Sequence, residues 1–122
     1  VNPFKIYASD VGLRNAVSFK FSKDEGKLAE NIVFIQLASS EKDLYYWNGK
    51  GEVDFIVKNK DQSLTAINVY YNDDIPEREI NSLLEFKSHF RKTKELILLT
   101  KDIEREEQDI KLIPLWKWLL IN

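Results

Sequence analysis

Two carboxylates one residue apart, Glu52 and Asp54, lie in the stretch Gly51-Glu52-Val53-Asp54-Phe55-Ile56-Val57 of this chain, and a second stretch from Leu64 to Tyr71 carries Asn68-Val69-Tyr70. A pair of carboxylates at a strand end could hold Mg2+, and a lysine beside them could orient or activate an attacking water. A further carboxylate and a lysine two residues apart on the neighbouring strand would complete such a site. Here those two positions are Asn68 and Tyr70. Asparagine offers a cation one neutral oxygen without the charge that makes Mg2+ binding tight, and tyrosine has no cationic form.

The two stretches read as a hairpin. Alternation places Val53, Phe55 and Val57 on one face and Glu52, Asp54 and Ile56 on the other. In the second strand Leu64, Ala66, Asn68 and Tyr70 oppose Thr65, Ile67, Val69 and Tyr71. The polar link Asn59-Lys60-Asp61-Gln62-Ser63 supplies the turn. If Lys58 pairs with Leu64, the same register sets Asp54 opposite Asn68, with Cβ atoms about 4.5–5.5 Å apart. Tyr70 then shares the face of Asp54. A slip of one residue would reverse every side chain. Lys58, the nearest lysine, lies on the wrong strand to replace the missing base.

The elements that must position this hairpin follow from periodicity. Phe4 to Ala8 is a strand candidate, and Asp10 to Val17 a turn or short helix around Gly12. Ser22 and Glu25 have capping-box spacing ahead of a helix from about Glu25 to Ser39. Its apolar rows are Leu28, Ile32, Ile35 and, adjoining, Ala29, Val33, Leu37, with Glu30 and Asn31 outside both. Leu44 to Trp47 is an aromatic strand closed by the tight-turn signal Asn48-Gly49. A second helix is expected from Ile75 to Phe90, with Asp74 and Glu77 three apart and Pro76 in the first turn. Its core stripe is Ile80, Leu83 and Leu84 with Phe86 or Phe90. Glu95 to Thr100 reads as a buried strand, Lys101 to Asp109 as a charged, exposed segment whose run Asp102 to Asp109 is a loop or short helix, Ile110 to Pro114 as a last strand, and Leu115 to Ile121 as a helical turn. The order is helix, three strands, helix, strand, a mixed α/β sheet with helices on its faces.

Composition bounds the rest. The chain has 122 residues, 43% of them hydrophobic and 31% charged, which suits one soluble domain with a core of its own. A formal net charge of −2 argues against strong autonomous DNA binding through the whole surface. The absence of cysteine excludes disulfides, thiolate metal sites and cysteine nucleophiles, and suits a reducing compartment. No apolar run is long enough to span a membrane, so a cytoplasmic location is expected. A chain without methionine that begins Val1-Asn2-Pro3 is either processed or cut from something longer, and a piece of a longer protein is the expectation.

Several stretches together resemble a known family. They are Lys5-Ile6-Tyr7, Asp10-Val11-Gly12-Leu13-Arg14-Asn15, Gly26-Lys27-Leu28-Ala29-Glu30-Asn31, Tyr45-Tyr46-Trp47, Glu52-Val53-Asp54-Phe55 and the tail Ile113-Pro114-Leu115-Trp116. In this order and spacing they look like the C-terminal nuclease-like domain of prokaryotic AAA+ ATP-binding proteins, within the PD-(D/E)xK, restriction-endonuclease-like superfamily. The resemblance implies an αβββαβ core and acidic site positions at Glu30, Glu52 and Asp54. The family usually carries Glu-x-Lys where this chain has Asn68 and Tyr70, so the site residues Glu30, Glu52, Asp54, Asn68 and Tyr70 are read as vestigial, with Glu52 and Asp54 as metal candidates. A non-catalytic accessory module for partner or nucleic-acid recognition is expected. The alternative is a Mg2+-dependent DNA nuclease using Glu30, Glu52 and Asp54 with a non-standard base. ATP would belong to an N-terminal AAA+ module of the parent, because the four glycines here form no phosphate-cradling loop.

Three features remain. Lys87, His89, Arg91, Lys92 and Lys94 form a basic cluster at a helix C-terminus, where cations offset the helix dipole. Within it Lys87, Arg91, Lys92 and Lys94 are the nucleic-acid-binding candidates, through phosphate contacts. His89, the single histidine, has no nucleophile at recognisable spacing. Trp116 and Trp118, with Tyr45, Tyr46 and Trp47, are expected to cap the core, and any left exposed would mark a partner surface.

Overall fold

A computed structural model describes residues 4–5 and 24–122. The segment Ile6 to Ala8, the turn around Gly12 and the capping residue Ser22 lie outside the described residues. The elements are β1 (Phe4–Lys5), α1 (Glu25–Ala38), β2 (Asp43–Asn48), β3 (Glu52–Lys58), β4 (Leu64–Val69), α2 (Glu77–His89), β5 (Thr93–Thr100), β6 (Arg105–Glu107), β7 (Ile110–Pro114) and α3 (Leu115–Ile121). The strands form one sheet in the order β1-β2-β3-β4-β5-β7-β6. Pairing is antiparallel from β1 to β4 and between β6 and β7, and parallel for β4–β5 and β5–β7. The parallel β4–β5 pair requires a crossover, which α2 provides. A mixed α/β sheet with helices on both faces is therefore the observed architecture.

Each face of the sheet owns a core. Ala29, Val33 and Phe34 of α1 and Leu115 and Trp118 of α3 pack against Phe55, Val57, Ile67, Val69, Ile97 and Leu99. On the opposite face Ile80, Leu83 and Phe86 of α2 cover Trp47, Val53, Ile56, Ala66, Leu96 and Leu98. The central strands β4 and β5 are buried on both faces and read as near-continuous apolar runs, as parallel neighbours should.

Five expectations are corrected locally. The cap of α1 is Asp24, whose Oδ1 accepts from the N–H groups of Gly26 at 2.9 Å and Lys27 at 3.4 Å. Of the two apolar rows on α1 the sheet takes Ala29 and Val33, with Phe34 beside them, while Leu28 and Ile35 are 38% and 49% exposed. The start of α2 has Pro76 at the N-cap with no side-chain cap, so Asp74 stays outside the helix. Part of the charged segment expected as a loop or short helix is a strand, β6, paired antiparallel with β7. Of the aromatic residues expected to cap the core, Trp47 and Trp118 are buried and Trp116 is 56% exposed.

The turn after β2 is where the sequence signal suggested, for a different reason. Asn48 pairs with Glu52, so the loop is Gly49-Lys50-Gly51, and no glycine there has positive φ. Glycine is required by proximity: a Cβ on Gly49 would stand 2.2 Å from Cη2 of Trp47 and 2.6 Å from Oε2 of Glu85. The Glu85 carboxylate in turn accepts from the N–H groups of Lys50 at 2.9 Å and Gly51 at 3.0 Å, tying α2 to the loop. Trp47 is fully buried, with Phe86 edge-on at 5.5 Å, and has little room to yield. Gly49→Ala is therefore expected to cost about 2 kcal/mol by overpacking. Its urea midpoint would report this directly; an unchanged midpoint would mean that the indole can swing aside.

Candidate functional site

The acidic end of β3 is shaped by a bulge. Tyr45 pairs with Ile56 but Trp47 pairs with Val53, so β3 carries one extra residue at Asp54-Phe55 opposite Tyr46. Val53 consequently joins Trp47 and Ile56 beneath α2. The expected grouping of Val53 with Phe55 and Val57 fails for that reason. On the other side of β3 the expected register holds, from Lys58 opposite Leu64 to Phe55 opposite Ile67.

One step further, side chains continue the pairing of β3 with β4. The Asp54 N–H donates to Asn68 Oδ1 at 2.9 Å, and the Val69 N–H donates to Asp54 Oδ2 at 2.9 Å. Asn68 is fully buried, and its Nδ2 donates to Ser82 Oγ at 3.0 Å and to the Glu79 carbonyl at 3.3 Å. Its amide thus joins β3, β4 and α2, with both ends engaged inside the protein. The Tyr70 N–H donates to the Leu99 carbonyl at 2.9 Å, which extends the parallel β4–β5 ladder one residue past Val69. The Tyr70 ring packs with the α2 core, and the Arg78 guanidinium lies 5.7 Å from its centroid.

Four carboxylates gather around this end: Glu30 from α1, Glu52 and Asp54 from β3, and Glu79 from α2. Burial pushes the Asp54 carboxyl up to about 6, against the Val69 N–H bond that lowers it, and the charge of Glu52 adds to the rise. Burial also raises Glu79 to about 7, with the Asp54 charge as the next cause and Arg78 opposing. Glu30 rises to about 7 through burial and then through Asp54, Asp24 and Glu79. Glu30 is the most open to solvent of these three, so the Asp54–Glu79 pair carries the electrostatic argument. The sequence reading missed Glu79, which sits in the first turn of α2 among acidic residues that favour a helix start anyway.

The oxygen chemistry of this cluster suits a hard cation such as Mg2+. As placed, the side chains do not fit one: among the described residues no group of three or more His, Cys, Asp or Glu side chains is arranged to hold a metal ion. Asp54 spends one oxygen on Val69, and Asn68 spends its oxygen on Asp54. Lys58 is at the far end of β3, paired with Leu64, and is no substitute base.

The basic candidates lie at that far end too, and the structure divides them. Lys87 pairs with Asp109 at 3.8 Å and Lys94 with Asp61 at 3.7 Å. Arg91 and Lys92 are exposed, follow the end of α2, and line a hollow together with Lys58 and Tyr45. His89 borders the same hollow, its ring centroid 5.6 Å from that of Trp47.

Fold and site together define a mixed-sheet α/β domain with a half-buried carboxylate cluster at one end of the sheet. Residues 25–118 match the family model described as Domain of unknown function (DUF4143), and the chain belongs to that family. It is similar to Uncharacterized protein MJ1544 of Methanocaldococcus jannaschii, at 29% identity over 136 residues, covering 95% of this chain and 29% of that protein. The chain thus spans less than a third of the length of that relative. No solved structure matches it. Among the described residues no helix is long and apolar enough to cross a membrane.

Proposed function

We propose that this chain is a non-catalytic, restriction-endonuclease-like module of a cytoplasmic AAA+ ATP-binding protein, serving in partner or nucleic-acid recognition. The order α1-β2-β3-β4-α2-β5 supports the nuclease-like reading, because it is the αβββαβ core that the resemblance implies. The reading rests chiefly on Asn68. At the position where the family pattern has a carboxylate, this chain has an amide whose oxygen and nitrogen both bind inside the protein. Tyr70, where a lysine would stand, is packed against α2. A scaffold that once gathered charge for a cation has become a joint between two strands and a helix. The parent chain would supply ATP binding from a separate module, and the chain's modest share of its archaeal relative agrees with a domain set in a longer protein.

The test is cleavage of single- and double-stranded DNA in Mg2+ and in Mn2+, comparing the native chain with Asp54→Ala. Neither protein is expected to exceed the blank. Robust cleavage that disappears in Asp54→Ala would overturn the proposal and establish the Mg2+-dependent nuclease with Glu30, Glu52 and Asp54 at its centre.

A further inference from the structure

At the opposite end of the sheet from the carboxylates, where β3 ends, β4 begins and α2 stops, there is a hollow of about 430 Å3. That volume falls in the range of small-molecule sites, roughly 300–1,000 Å3. Its apolar surface comes from Tyr45, Leu64 and Phe90. Phe90 is fixed by stacking on Phe86 at 4.5 Å and meeting Trp47 edge-on at 6.2 Å, so its ring is a rigid wall. The remaining lining is the His89 imidazole, the Gln62 amide and the cations Lys58, Arg91 and Lys92.

Two of those cations exceed what the helix requires. Lys87 and His89 already occupy the last turn of α2, where positive charge offsets the dipole. Arg91 and Lys92 lie beyond the helix and make no ion pair with another described residue. Asp43 stands across from Lys58 in the register, so Lys58 brings less net charge to the hollow.

The backbone that presents these groups is held firmly. The Lys92 carbonyl accepts from the Leu64 N–H at 2.9 Å, and Thr93 closes the preceding turn on the Phe90 carbonyl through both its N–H and its Oγ1. Across the hollow, Gln62 is held at a φ of 73°, a left-handed conformation that costs a non-glycine residue about 1–2 kcal/mol. Bonds from Asn59 to Ser63 and Thr65, and from Ser63 to Asp61, clamp the loop into that shape. A strained rim, an aromatic surface and two cations without an ion pair among the described residues converge on one concavity.

We infer that this hollow binds a nucleoside phosphate unit, its base against Tyr45 and Phe90 and its phosphate against Arg91 and Lys92. Such a unit comes from a free nucleotide or from an unpaired nucleotide in a single strand; a duplex keeps its bases stacked away from the two rings. The inference narrows the recognition reading above to one ligand class at one site. Its failure would leave the non-catalytic reading intact, because the carboxylate end is not involved.

The experiment measures binding of a fluorescent ten-residue thymidine oligonucleotide, its duplex, and free AMP and dTMP to the chain, across a salt series. The variants are Arg91→Gln/Lys92→Gln, Tyr45→Leu and, as control, Lys87→Gln/Lys94→Gln. The expected result is binding of the single strand or of a free nucleotide that falls roughly tenfold in Arg91→Gln/Lys92→Gln. For the strand, the salt slope should shrink by about 1.4, or ~0.7 per phosphate contact. Tyr45→Leu should weaken it as well, and the control should bind like the native chain. Strand binding without competition by free nucleotide would assign the site to single strands, and the reverse to free nucleotides. Arg91 and Lys92 are exposed, so their replacement should leave the melting temperature unchanged. No binding of either ligand would overturn the inference. So would binding untouched by Arg91→Gln/Lys92→Gln, or duplex binding that is tighter and indifferent to Tyr45→Leu.

Discussion

Asn68→Ala is expected to destabilise the protein by about 3 kcal/mol, lowering the melting temperature by roughly 10 °C. The side chain is buried and fills three roles at once: acceptor for the Asp54 N–H, donor to Ser82 Oγ, and donor to the Glu79 carbonyl. Truncation leaves the Asp54 N–H without its partner, which costs about 1–3 kcal/mol, and leaves a cavity on top of that. Ser82 Oγ keeps its own bond to the Glu79 carbonyl, which softens the loss. Asn68→Asp separates packing from charge. It preserves the acceptor and the volume, removes both donors, and adds a carboxylate where Asp54 and Glu79 already resist ionisation. Its penalty should therefore be larger at pH 8 than at pH 5. Thermal melts of both variants at the two pH values check this; a harmless Asn68→Ala would show that the amide is not the joint between β3, β4 and α2.

The second large effect is the pH dependence of the native chain. Asp54 titrates near 6 and Glu79 near 7 when folded, against ordinary values of 3.8 and 4.5. Raised carboxylates hold protons that the unfolded chain has already released, so the folded state binds more protons between about pH 4 and pH 7. Stability must then fall as pH rises through that window and level off above it. A shift of one unit is worth 1.36 kcal/mol, so after allowance for partial exposure and mutual coupling the loss from pH 5 to pH 8 is on the order of 3 kcal/mol. Asp54→Asn removes the charge that is the largest electrostatic cause of the rise in both Glu30 and Glu79. An asparagine oxygen can still accept from the Val69 N–H. The variant should be more stable than the native chain at pH 8, by about 1–2 kcal/mol, with a flatter pH profile. A native profile that rises instead from pH 5 to pH 8 would contradict the electrostatics of the cluster.

Much of this site could be read from the sequence, and what could not has identifiable causes. The pairing of Lys58 with Leu64 followed from a polar link bounded by alternating strands; the ladder runs to Phe55 opposite Ile67, and beyond it the Asp54 N–H meets the Asn68 side chain. The bulge at Asp54-Phe55 could not be foreseen by counting alternation along β3, because it arises where Trp47 of the neighbouring strand is buried under α2. Glu79 escaped notice because its neighbourhood depends on where the crossover helix begins relative to the strand ends. On α1 the two apolar rows looked equivalent, and only packing chose Ala29 and Val33 over Leu28 and Ile35. The basic cluster showed its charge but not its division into paired and unpaired members, which depends on Asp61 and Asp109 from other elements.

The charged strand β6 has a consequence for the behaviour of the molecule in company. It is the terminal strand of the sheet, three residues long, and all three are charged: Arg105, Glu106 and Glu107. Arg105 and Glu107 pair with each other at 3.0 Å, so their charges are held at the margin. An exposed margin of unpaired backbone invites a neighbour's strand, and shortness with charge is how folded proteins refuse it. Beyond β6 lie β7 and β5, apolar strands whose open margin would be a template for growth. Those three charged residues end the sheet where they stand and keep crowded copies from joining theirs to it.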